Sequence, residues 1–99
     1  MAHFIGQLVK EDWNENDLFP TIQKDNPLIK GLSSIGIQTQ EGNFVFLNGE
    51  SFEIGKTGCL QFNNVYVTSV SIKKRSGLPL TSLEPIIIDY IGVDTEGEL

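Results

Sequence analysis

The stretch FVFLNGESFEI, Phe44 to Ile54, decides the fold. Asn48-Gly49 is the preferred pair for a two-residue type I′ turn, because both positions need positive φ. A turn there sets Leu47 opposite Glu50 and Val45 opposite Phe52. Val45, Leu47, Phe52 and Ile54 then share one face of a β-hairpin. Phe44 and Phe46 point to the other face, beside Ser51 and Glu53. A strand that is apolar on both sides is sandwiched or meets a neighbour.

Working outward, the period of two persists. GIQTQ, from Gly36 to Gln40, alternates as a strand does. CLQF, the Asn63-Asn64 pair and VYVTSVSI suggest a second hairpin, with the asparagines in the turn or, alternatively, in a bulge. In that reading Tyr66, Thr68, Val70 and Ile72 lie on one face, and Val65 and Val67 on the other. KKRSGLPLTSLEP reads as a loop. IIIDYIGV, Ile86 to Val93, is strongly apolar and reads as a central strand, its β-branched residues disfavouring helix. DTEGEL is an acidic tail.

Towards the N-terminus the pattern weakens. Phe4, Ile5, Leu8 and Val9 fit a strand or a helix face, and Gly6 favours strand. EDWNENDLFPTIQKDNPLIKG has no sustained period. Its Asn and Asp favour turns, and Pro20 and Pro27 push the preceding residues out of the helical region. The expectation is an extended N-terminal arm over residues 1–34 and a β-domain over residues 35–99, together one folding unit. The fold class expected is all-β, a small antiparallel sandwich or barrel of about five or six short strands. An arm carrying Trp13, Phe19, Pro20, Ile22, Leu28 and Ile29 must dock, on this domain or on another chain. The expected partner-facing residues are Trp13, Phe19, Ile22 and Leu28 of the arm, with Phe44 and Phe46 of the hairpin.

Bulk properties bound the function. The chain has 99 residues, enough for one thin core. Thirteen acids against seven bases give a net charge of −6, which argues against sequence-independent binding to nucleic acid. Lys73-Lys74-Arg75 reads as a solvated turn. A single cysteine, Cys59, excludes an intrachain disulfide and is expected to pack as a small hydrophobe. No apolar run reaches the length of a signal sequence or membrane span, so a soluble protein made in a cytoplasm is expected.

Candidate chemistry is sparse. Gly55-Lys56-Thr57 has the letters of a phosphate loop but not its spacing. Glu50 stands where the first glycine belongs, and strand, not helix, follows. The plain reading is a turn from Gly55 to Gly58. His3 has no ligand-like spacing to other donors and no serine or cysteine to activate. Asp12, Glu15 and Asp17 lack the glycine and terminal glutamate of a calcium loop. Asp89 is expected to face outward or to pair with Lys73 or a backbone amide. Neither a catalytic group nor a cofactor or metal is expected.

The run FLNGESFEIGKTGCLQFNNVYVTSVSI, followed by IIIDYIGV, resembles a small β-domain of structural proteins in tailed phages of Gram-positive hosts. The matching positions are Phe52, Ile54, Gly55, Thr57, Gly58, Thr68, Ser69 and Ile87 to Tyr90, within residues 40–93. TIQKDNPLIKG resembles the arm of such proteins more loosely, with one glycine, Gly31, and with Asn26 before Pro27. The resemblance implies a virion part of the tail tip, baseplate or fibre attachment. It implies a homo-oligomer, a trimer being one option, bound to other virion proteins. Head decoration is the alternative location. A carbohydrate- or receptor-binding module, with Tyr66, Tyr90 and Trp13 as stacking platforms, is the alternative function.

Overall fold

A computed structural model of the protein describes residues 2–10, 17–73 and 85–95. The elements in chain order are β1 (His3–Lys10), α1 (Phe19–Asp25), β2 (Gly31–Gln38), β3 (Phe44–Leu47), β4 (Glu50–Glu53), β5 (Cys59–Val67), β6 (Val70–Lys73) and β7 (Ile86–Val93). They form two antiparallel sheets. One has the order β1-β7-β2-β5, the other β4-β3-β6. The small all-β fold expected from the sequence is the fold observed.

The β3–β4 hairpin has the expected register, Val45 opposite Phe52 and Leu47 opposite Glu50. Asn48 and Gly49 take φ of 52° and 85°, the left-handed pair that a type I′ turn requires. A side chain at Gly49 would touch nothing, so dihedral strain alone selects glycine there.

Asn48 also shapes the rest of its sheet. Its Nδ2 donates to Tyr66 O at 2.8 Å, and its Oδ1 accepts from Thr68 N at 2.9 Å. Its own N–H donates to Ser69 O. The side chain thus pins a corner at Thr68-Ser69, where the chain leaves one sheet and enters the other. This corner corrects the second hairpin of the sequence reading. VYVTSVSI is not one strand, and the alternation breaks at the corner, so Val67, Val70 and Ile72 are all buried. The Asn63-Asn64 pair forms the bulge, not the turn. Asn64 has φ of 56°, and the β2–β5 register jumps from Ser34–Asn63 to Leu32–Val67. Extra residues in one strand bend it and raise its twist.

β7 lies between β1 and β2, the interior position its composition predicts. Ile86, Ile88 and Tyr90 face the core. Leu32, Ile35 and Ile37 of β2 join them, and Val45, Leu47, Val70 and Ile72 of the smaller sheet pack opposite. Phe52 and Phe62 close the seam between β4 and β5, with ring centroids 4.8 Å apart. Tyr90 lies across Gly6 of β1, where a Cβ would come within 2.5 Å of its Cζ.

The early segment is not a free arm. β1 pairs with β7 along its whole length, His3 opposite Val93 through Lys10 opposite Ile86. Residues 19–25 form a short helix, and its Phe19 and Ile22 are buried in this chain's own core. Pro20 stands in the first turn, where a missing N–H costs nothing, and Pro27 follows the end. The two prolines bracket the helix instead of preventing it. Asp17 Oδ1 accepts from Phe19 N at 3.0 Å and from Val70 N at 2.8 Å, while Leu18 N donates to Val70 O. The helix entrance is thereby clipped to the edge of β6. The boundary expected at residues 34 and 35 falls inside β2, so arm and domain are one body over the described residues.

Candidate interaction surface

The outer face of the four-stranded sheet is set by strand alternation. Ile5, Gln7 and Val9 of β1 point away from the core, because Phe4 and Leu8 point towards it. The register places Ile5 beside Ile91 and Ser34, Gln7 beside Asp89 and Gly36, and Val9 beside Ile87 and Gln38. Two apolar rows therefore flank a polar one. Ile5 is 86% exposed and Val9 50% exposed, while Ile87 and Ile91 are half-buried. The apolar rows thus grow more open towards the β1 edge.

Several polar groups on this face pair with one another. Gln7 Nε2 donates to Asp89 Oδ1 at 2.7 Å. That is the outward reading of Asp89, with a glutamine as its partner. Ser34 Oγ donates to Asn63 Oδ1 at 2.9 Å, and Gln61 Nε2 donates to both residues at 3.2 Å. Gln61 also lies over Gly36, whose absent side chain leaves room for it.

Of the six partner-facing residues expected, Trp13 lies outside the described residues. Phe19 and Ile22 are corrected, since both are sealed inside their own subunit and offer nothing to a neighbour. Leu28 is 63% exposed just after α1, and Phe44 is 37% exposed. Phe46 is half-buried. Phe44 and Phe46 share the outer face of the smaller sheet, with Glu53 and Lys73 flanking Phe44. They are not on the face that carries Ile5 and Val9. Those two residues were not expected as contact residues, although a signal was present. Phe4-Ile5 and Leu8-Val9 are adjacent apolar pairs, and in a strand one member of each pair must point outward.

The Gly55 to Gly58 segment is a turn leading into a strand. Gly58, at φ of 72°, donates its N–H to Gly55 O, and its carbonyl accepts from Thr39 N. That amide is consumed internally, and Lys56 and Thr57 face solvent. The turn rims a shallow cleft of about 640 Å3 that also touches Gln38, Cys59 and Ile87. Cys59 is exposed, contrary to its expected burial, with Sγ 3.6 Å from Thr57 Oγ1. No group of acids, histidines and cysteines that could hold a metal occurs among the described residues.

Neither described tyrosine is presented as a stacking platform. Tyr66 lies over Gly31 and donates its hydroxyl to Thr95 O at 2.9 Å. Tyr90 is buried, and that burial raises its phenol above the ordinary value, with the charge of Asp25 adding to the effect. Comparison with protein-family models, curated proteins and solved structures returns no match for this chain.

Proposed function

We propose that the protein is a non-catalytic structural subunit of a virion. In this reading it self-assembles and attaches another component at a tail tip, baseplate or fibre. The resemblance over residues 40–93 supports the virion setting. The observation that carries the assembly reading is the exposure of Ile5 and Val9, beside Ile87 and Ile91, on one sheet face. Exposed apolar patches rimmed by polar residues mark contact surfaces, and where copies of one chain associate a twofold dimer is the commonest arrangement. Sedimentation velocity on the full chain across a range of concentrations tests the reading. The weight-average mass is expected to rise above that of the monomer. A mass fixed at one 11.0 kDa chain at every concentration would remove it.

A further inference from the structure

We infer that two copies of this chain join through their β1 strands, antiparallel about a twofold axis, with Gln7 opposite its symmetry mate. The inference rests on the self-assembly reading above and names the surface that performs it. Exposed sheet edges carry unpaired backbone N–H and C=O groups, and monomeric proteins blunt them with charges, bulges, short strands or covering segments. Three of the four edges here have such a device. β4 is four residues long and begins and ends in glutamate. β6 is clipped by Asp17 and Leu18. β5 carries the bulge at Asn64.

β1 is the least protected among the described residues, its one Lys or Arg being Lys10 at its end. It is eight residues long, it contains no proline, and from Phe4 to Val9 it has no charge. Its outward side chains are also self-complementary. Ile5 and Val9 stand two residues either side of Gln7. Antiparallel pairing centred on Gln7 sets Ile5 opposite Val9 of the second copy, and Val9 opposite its Ile5. The existing register already puts Ile91 beside Ile5 and Ile87 beside Val9. Two continuous apolar rows would then cross the junction, each made of Ile91, Ile5, Val9 and Ile87, the first two from one copy and the last two from the other. Between them runs Asp89, Gln7, Gln7, Asp89. Each Gln7 amide spends one N–H on its own Asp89. A second N–H and a carbonyl remain to exchange with the mate. A shift of one residue would break this match, because it would put outward side chains opposite inward ones.

An edge-to-edge strand junction is small, below about 1,200 Å2, so the dimer is expected to dissociate on dilution. The test uses the full chain. Ile5→Lys places a charge on a residue already 86% exposed, so the fold is retained, as far-UV circular dichroism would check. That variant is expected to weaken association by about tenfold or more, as an edge charge does. Separately, Gln7→Cys in a Cys59→Ser background should form a disulfide-linked dimer on mild oxidation, because paired strands bring opposed Cα atoms within disulfide range. The same background with Ser51→Cys, on the other sheet, is the control and should link more slowly. An unchanged association for Ile5→Lys, or linkage at position 7 no faster than at 51, overturns the β1 junction. If the wild-type chain still associates in that case, the assembly reading survives with a different surface. A wild-type chain that stays monomeric removes both.

Discussion

Asn48 is asked to do two things that usually fall to different residues. It takes the left-handed conformation of a tight turn, and its side chain holds a corner twenty residues away in sequence. The two roles separate by substitution. Asn48→Gly keeps the backbone conformation and loses the clamp, which is expected to cost about 1 kcal/mol. Asn48→Ala loses both and should cost about 2 kcal/mol, the second part being left-handed strain on a residue with a Cβ. Urea denaturation reads the difference, and a glycine variant as stable as the wild type would show that the clamp contributes nothing. Tyr90 makes a different prediction. Its phenol titrates above its ordinary value of about 10 in the folded state, chiefly through burial. Below that ordinary value both folded and unfolded states are protonated, and the stabilisation is complete. As pH rises through the folded value, the unfolded chain has already ionised and stability falls. Tyr90→Phe should therefore flatten the alkaline decline in the urea midpoint. An identical decline in both proteins would assign the loss to other groups.

At the scale of elements, legibility followed locality. The β3–β4 hairpin was readable down to its register, because Asn48-Gly49 and the alternation around it sit within eleven residues. β7 was readable as interior because, Asp89 apart, apolar residues fill both of its faces. The corner at Thr68-Ser69 was not readable, since the group that fixes it, Asn48, belongs to another strand. α1 was hidden for a different reason. It is seven residues long with two buried side chains, too short for a period to show, and its flanking prolines read as helix breakers. The consequence for Ile22 is testable. A strap residue meant for a neighbour would leave the subunit's stability untouched when truncated. A core residue with no exposed surface should not. Ile22→Ala is expected to cost about 2–5 kcal/mol of unfolding free energy. A loss under about 0.5 kcal/mol, the range typical of surface positions, would restore the arm interpretation.

For the whole molecule, the small all-β class, with sandwich and barrel both open, followed from strand count and turn spacing. The proposed contact surface did not, because it depends on which strand stands at a sheet edge among the described residues. That required the strand order: among the described residues β1 is an edge strand, paired on one side by β7. Charge adds a condition at this scale. Each copy carries a net −6, so like copies repel at long range. Added salt screens that repulsion without weakening the apolar contacts of the proposed junction. Association should strengthen when ionic strength rises from about 0.05 to 0.5 M, across which the screening length shrinks severalfold. Weakening over the same range, measured by sedimentation, would point instead to an interface built on opposite charges.

The placement of β7 between β1 and β2 also governs when the protein can exist during its own manufacture. Translation delivers the outermost strand first and the middle one last, so the larger sheet has a gap at its centre until residue 93 has left the ribosome. Until then β1 has no strand to join, and β2 has only β5. The β3–β4 hairpin and its corner can form before β7 is made, but the larger sheet waits for that strand. Such distant pairing makes the search slow.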